Sequence, residues 1–558
     1  LLRIIIASLV LCAAGSAETL SQLSASFWSW RAREQPFSED DIPRIDRPTD
    51  LAIDWSPATV QQRRQQLAEF EERWKRLVPA SSVAVSEQVD YRLIGSAIAR
   101  VRWELDIDPG WKRNPEFYVD QTLGAVQVLL LQPPPFAPER QSQIISRMET
   151  IPATIRAAKE NLSDMRQPFA QLAIEALDDL PKRMQQLENT LAPQLSDANK
   201  TAFATASEKA VSALAEYRAW LRQGLPAMRK DTAIGRDKYI FFLRNVALLP
   251  YSPEELLAMS KLEWSRAVAF ESYEHARDSQ LPPIKLQPTQ QAQMALEAKD
   301  EQEIRDLLTN QHLLTVPAWM KHYHNLPLPD YVAPFEYLTV TDDLTGPARL
   351  DQDGTSYIRV PSPDLGFFNL STARDPRPII AHEGVPGHYF QLSLSWANPD
   401  PIRRHYYDSG ANEGIGFYAE EMMLQAGLFD NSPRSREIIY SFMRLRALRV
   451  EVDVKLALEE FTLQQAAEYL EQTVPMDHTT ALGEAAMFSS TPGQAITYQV
   501  GKIQIMQMLA DARRAQGAAF SLLKFHDFVW SNGNVPIALQ QWEMLGDARN
   551  VPEVNAAK

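Results

Sequence analysis

From Ser21 to about Gln223 apolar side chains recur at helical spacing almost without a break. That periodicity restricts the chain to packed amphipathic helices. The spacing predicts helices over residues 57–77, 85–105, 115–132, 138–162, 168–191 and 197–221. Pro133-Pro134-Pro135 is a firm stop, because proline lacks the amide hydrogen a helix needs. Ser196-Asp197 supplies a cap for the last of these helices. No fixed-period repeat runs through the region, so a solenoid is not expected.

Residues 224–235 look like a connection. Helices are expected again over 237–249, from Ser252-Pro253-Glu254-Glu255 with its capping pattern, and over 289–308 and 316–324. The texture changes at Pro327. Residues 337–341 and 356–360 are short β-branched or aromatic runs, and Asp351-Gln352-Asp353-Gly354 makes a turn between them. A small antiparallel strand pair is expected there. Helix resumes over about 404–426, 432–473, 499–516, 519–530 and 536–544. The expected fold is therefore mainly α with a small antiparallel β element. Its regions are 1–17, 18–230 and 231–558, the last two forming one compact unit.

The chain has 558 residues, 45% of them hydrophobic, which is ample for a large core. Its formal net charge of -15 argues against nucleic acid as the main partner, since phosphate binding needs a basic surface. Arg3, the apolar run 4–11 and the small residues Ala13 to Ala17 have the layout of a secretory signal peptide. The run is shorter than the roughly 20 residues that span a bilayer. A periplasmic or secreted protein is expected, with no stable membrane insertion after cleavage. The single cysteine, Cys12, lies in this segment. Leu11 stands where a lipoprotein carries a small residue, so cleavage at Ala17 is expected rather than lipidation of Cys12. A cleaved chain has no thiolate, and any metal must rest on His, Asp and Glu.

Ala381 to Gln391 reads A-H-E-G-V-P-G-H-Y-F-Q. Imidazoles bind zinc, and a carboxylate beside them can take a proton from an activated water. The usual zinc-protease signature places its histidines at i and i+4 on one helical face. Here His382 and His388 are six apart, roughly 120° from each other on a regular helix. Both can reach one ion only if the helix breaks or bulges at Val385-Pro386-Gly387.

Two histidines are too few for zinc. Glu413 lies 25 residues after His388, and Glu413 and Glu420 share one helical face two turns apart. Glu413 is the preferred third ligand, because Gly414 and Gly416 leave room for close approach. Glu420 would orient a histidine, or would simply be solvated, as would Glu421. His405, eight residues before Glu413, is a further candidate for the outer shell.

The H-E-G-V-P-G-H run, Glu413-Gly414 with Tyr418-Ala419-Glu420, and Pro492-Gly493-Gln494-Ala495 with Tyr498 and Gly501 resemble the DUF885 family of bacterial proteins. Members are often secreted or described as lipoproteins. The resemblance runs from about residue 20 to the C-terminus. It implies a large multi-helix, zincin-like metallopeptidase fold akin to carboxypeptidase Taq and the oligopeptidases. It also implies a zinc site of His382, His388 and Glu413. The chain departs from the family pattern at Met487-Phe488, where many members carry Arg-Tyr, and at Ala457, where members often show histidine. Those departures bear on substrate rather than on the metal.

The chemistry that follows is hydrolysis of amide bonds in short peptides, with Glu383 as general base. Tyr498 is the candidate donor to the oxyanion, or else a core tyrosine; Gln494 is a candidate substrate contact. Arg449, with Arg444 and Arg446 on one helix, offers a fork for a peptide carboxylate. Arg449 with Asp453 also fits an i,i+4 ion pair. Two other classes share these residues: a metal-binding protein without catalysis, and a metal-dependent amidase or esterase on non-peptide substrates. The absence of a G-x-S-x-G elbow argues against an α/β-hydrolase.

Overall fold

The computed structural model describes residues 18–38, 46–338, 340–474 and 476–552. The expected signal peptide and Cys12 lie outside them. The described chain is mainly helical, with 67% helix and 3% strand. None of its helices is long and apolar enough to cross a membrane.

The N-terminal half forms the expected run of amphipathic helices: α1 (Leu20–Glu34), α2 (Pro57–Lys75), α3 (Val85–Arg102), α4 (Pro138–Asn161) and α5 (Asp197–Gly224). Ser196 caps α5 by accepting from the Asn199 amide. On α5 the buried residues Phe203, Ala206, Ala210, Leu214, Tyr217 and Leu221 follow three- and four-residue steps, and the helix packs onto α4. The helix expected over 115–132 is shorter, running without a break from Phe117 to Gln127 and widened to a π-type turn at Asp120–Gly124, whereas the one expected over 168–191 is two, Gln167–Ala176 and Leu180–Leu191, separated at Asp179 with φ 53°.

The second half begins with α6 (Pro253–Asp278) and α7 (Gln290–Asn310). Ser252 and Glu255 close the expected capping box on α6. The helix expected over 316–324 does not form. Its end is strand β1 (Tyr323–Pro327), in a three-stranded sheet with β2 (Asp342–Asp343) and β3 (Gly354–Ile358). The order is β1-β3-β2. β1 runs parallel to β3, with Tyr323 opposite Gly354, and β2 runs antiparallel to β3, with Asp343 opposite Thr355. The expected two-stranded antiparallel pair is thus corrected to a mixed sheet. Tyr337 belongs to a 3-10 turn (Ala333–Leu338), and Val340 is exposed.

The helices that matter for the site follow: α8 (His388–Trp396), α9 (Ser409–Gln425), α10 (Pro433–Ala457), α11 (His478–Ser490) and α12 (Thr497–Gln516). The helix expected over 432–473 is two, α10 and Leu463–Thr473, separated at Glu459 with φ 66°. α9 begins later than expected, where Asp408 accepts from the Ala411 amide at 2.9 Å. α6 packs along α10, and α9 along α12. The α9–α12 contact is backbone on backbone: a Cβ on Gly414 would lie 2.6 Å from the Gly501 Cα. This brings Glu413 on α9 and Tyr498 on α12 into one space. The halves also interlock, since Ile402, Tyr406, Val535 and Leu539 join the core made by α1, α2 and α3.

Candidate metal centre

The helix entering the histidine motif is interrupted at the predicted place. Ile380–Gly384 forms a single wide π-type turn that carries His382. Val385 then turns extended, with φ -123° and ψ 121°, and the Val385-Pro386 bond is cis. Gly387 passes so close to the preceding turn that a Cβ there would lie 1.7 Å from the His382 carbonyl oxygen. α8 starts at His388. The break turns a six-residue spacing into a convergent pair, with ring centroids 4.7 Å apart at 80°.

Glu413 on α9 completes the group. Its Oε2 lies 3.2 Å from His382 Nε2 and 3.1 Å from His388 Nε2. All three residues are buried, and one donor atom of each lies within 4.8 Å of the others. Burial would raise the Glu413 carboxyl, but His388 and His382 hold it well below the usual carboxylate range. Burial would depress His382, but Glu413 and Glu420 raise it to about 9. Two imidazole nitrogens and one carboxylate oxygen aimed at one buried point are a borderline-soft donor set that fits zinc.

Around this group the outer residues are fixed. Glu420 is fully buried, with Oε1 at ion-pair distance, 2.7 Å from His382 Nδ1 but away from the ring N–H direction, and 3.1 Å from an Arg446 nitrogen. That contact leaves Nε2 of His382 as the atom facing Glu413. Gly416 gives the ring its room, since a Cβ there would sit 3.0 Å from it. The alternative of a solvated Glu420 or Glu421 is overturned. Glu421 is paired with Arg266 at 2.9 Å and with Lys502 at 2.8 Å.

Glu383 differs from the three. Its side chain is 28% exposed, against 7% for Glu413, and it lines a cavity of about 650 Å³ with His388, Glu413, Gln494 and Tyr498. The Tyr498 ring stacks 5.9 Å from that of His382. Burial, then the Glu413 charge, push its hydroxyl well above the usual range, so it stays a hydrogen-bond donor.

Several expected placements change. Arg449 does not pair with Asp453. It forms a two-pronged pair with Glu484, at 2.7 and 2.6 Å, beside the Tyr498 ring. Arg446 is held by Glu420 and Arg444 by Glu271, so none of the three arginines is an open carboxylate fork. Asp453 instead accepts from Tyr239 at 2.8 Å and from the Gly493 and Ala495 amides at 3.0 Å. His405 lies in the short helix Pro401–His405 with its ring 6.1 Å from Trp28, and bonds to none of His382, His388 and Glu413. Of the two departures, Met487 lines the cavity, whereas Phe488 and Ala457 are core residues.

Sequence reasoning missed Asp342. It lines the cavity from β2 and accepts from the Tyr323 hydroxyl at 3.2 Å. Burial, then the nearby Glu383 charge, raise it to about 7. Only the sheet brings Asp342 to Glu383, so no local pattern could have shown it.

The model of the DUF885 family, described as bacterial proteins of unknown function, matches residues 44–544. The chain belongs to the DUF885 family. Two solved structures share the fold of this DUF885 chain. One is a candidate lipoprotein of unknown function from Shewanella oneidensis, 19% identical, with TM-score 0.71 over 95% of this chain and 100% of that one. The other is a candidate lipoprotein from Colwellia psychrerythraea, 16% identical, with TM-score 0.75 over 94% and 97%. No curated protein matches this member of the family.

Proposed function

We propose that this chain is a zincin-like, zinc-dependent peptidase that works outside the cytoplasm on short peptides. One observation carries the reading. Three buried donor atoms converge on one point while the carboxylate of Glu383, next in sequence to a ligand, opens to the cavity. A protein that only stored metal would have no use for a base in that position. The likeness to candidate lipoproteins and the signal-like first 17 residues support export.

His382, His388 and Glu413 would hold the ion, and Glu420 would fix the His382 ring. Zinc, when bound, supplies Lewis acidity toward a scissile carbonyl and toward water. Glu383 accepts the proton of the attacking water and returns it to the leaving nitrogen, so the products are a free acid and a free amine. The Tyr498 hydroxyl donates to the developing oxyanion. The cavity's volume lies within the range of small-ligand sites and suits a few residues of peptide rather than a folded protein.

The test is metal analysis of the purified chain, followed by hydrolysis of a short-peptide library by the zinc-loaded protein and by Glu383→Gln. Stoichiometric zinc in both, with cleavage only by the unsubstituted chain, is expected. Zinc without cleavage in either sinks the peptidase reading, and cleavage of non-peptide amides or esters alone moves the substrate class.

A further inference from the structure

A second chamber of about 220 Å³ opens on the far side of Gln494. Phe37, Met487 and Gln494 line both it and the metal-side cavity, so the two meet there. Its walls are aromatic, built from Trp30, Trp55, Trp103, Phe117 and Phe242. Its charged lining is almost entirely neutralised. Arg31 pairs with Glu104 at 2.6 Å and Arg63 with Glu34 at 2.7 Å, and Asp108 is held by Arg113. Glu116, Asp120 and Asp408 also have partners. Arg100 alone among the described lining charges has neither an ion pair nor a side-chain hydrogen bond; it lies half-buried over the Phe242 ring.

The junction is built with equal care. The loop carrying Gln494 is held by Asp453 through the amides on either side of it, those of Gly493 and Ala495. Gln494 is 6% exposed and lies beside Tyr498, yet neither its amide nitrogen nor its oxygen has a well-formed partner among the described residues. A buried amide left unpaired is costly, and a peptide strand supplies the complementary C=O and N–H.

We propose that the second chamber binds the C-terminal residue of the substrate, with an apolar or aromatic side chain, its carboxylate on Arg100 and its backbone amide on Gln494. This deepens the peptidase reading and rests on it for the word substrate. A cation facing an otherwise neutralised, aromatic pocket selects an anion attached to an apolar group. A peptide carries that combination at its C-terminus. The chamber is smaller than a typical small-ligand pocket of about 300–1,000 Å³, so it takes a residue or two rather than a longer chain.

Two measurements on the full chain test this. The first is kcat/KM of the zinc-loaded protein for acetyl-Ala-Ala-Phe as free acid and as C-terminal amide. The free acid should be preferred by about tenfold, the scale of one charge-assisted hydrogen bond. Arg100→Gln should bring the ratio near one, and Arg100→Lys should restore part of it. The second is binding of N-acetyl-phenylalanine and its amide to the Glu383→Gln protein, read by the fluorescence of the chamber tryptophans. The acid should bind about tenfold tighter, and Arg100→Gln should remove the difference. Equal handling of acid and amide in both measurements overturns the assignment. Arg100-dependent binding of the acid by a chain that cleaves no peptide leaves the chamber standing and removes the peptidase reading. Peptide cleavage without an acid preference does the reverse. Melting temperatures of the variants exclude misfolding as the cause of a lost preference.

Discussion

Helices α5 and α9 both carry glutamates and do opposite things with them. α5 buries seven of its 28 residues along one stripe and leaves its charges in water, apart from Arg218, which pairs with Asp178. α9 buries 15 of 17, including Glu413, Glu420 and Glu421. A buried carboxylate is tolerated only when paired, and each of the three has its own basic partners: the two histidines, His382 with Arg446, and Arg266 with Lys502. The difference teaches where to look for chemistry. A helix whose polar residues face solvent is explained by packing alone, whereas one that buries charge on every side is explained by what those charges hold.

The sharpest way to break that contrast is at Glu413. Glu413→Ala should reduce zinc affinity by more than about 100-fold, beyond the 10–100-fold typical of an outer-shell change, and abolish peptide cleavage. Metal content after dialysis checks it. Retention of stoichiometric zinc would mean Glu413 is an ordinary buried acid.

Glu421 comes next, because it is buried for stability rather than for metal. Glu421→Gln should cost about 3 kcal/mol in denaturant unfolding. That is the lower end for a broken buried pair, since Glu263 still contacts Arg266 and Lys502. Zinc affinity should stay unchanged. The pH dependence follows the same group. Burial would raise its carboxyl, but Lys502 and Arg266 lower it to about 2. The folded value lies below the unfolded one of about 4.3, so the stabilisation is present above pH 4.3 and is lost as pH falls toward 2. Roughly 3 kcal/mol should disappear across that window in the unsubstituted chain and not in Glu421→Gln.

What was legible in the sequence follows the range of the forces involved. Helix stripes such as that of α5 and caps such as Ser252 are local, and they were read. The convergence of His382, His388 and Glu413 was legible because Pro386 and Gly387 announce the break. Strand β1 was not: Tyr-His-Asn-Leu-Pro carries no β-branched residue, and its partner β3 lies some 30 positions away. The Arg449–Asp453 pairing was misread for a related reason. The i,i+4 rule describes an exposed helix, and both residues here are buried against neighbours far away in sequence, Glu484 for one and the 491–495 loop for the other.

Glu420 tests whether a buried carboxyl one step from the proposed ligands would act on a bound metal or only on its neighbour. Glu420→Gln should weaken zinc binding by about 10–100-fold, because His382 loses the carboxylate that fixes its ring. Loss of thermal stability with unchanged affinity would reduce Glu420 to a counter-ion for Arg446. The smallest effect belongs to α5. The Glu216 side chain is 72% exposed and stands 4.0 Å from Lys159. Such a pair is loosely held and screened by water, so Glu216→Ala should change unfolding free energy by no more than about 0.5 kcal/mol. A loss above about 1 kcal/mol would mean that something covers the outer face of α5. Its charges would then be held as those of α9 are, and burial would no longer separate the two helices.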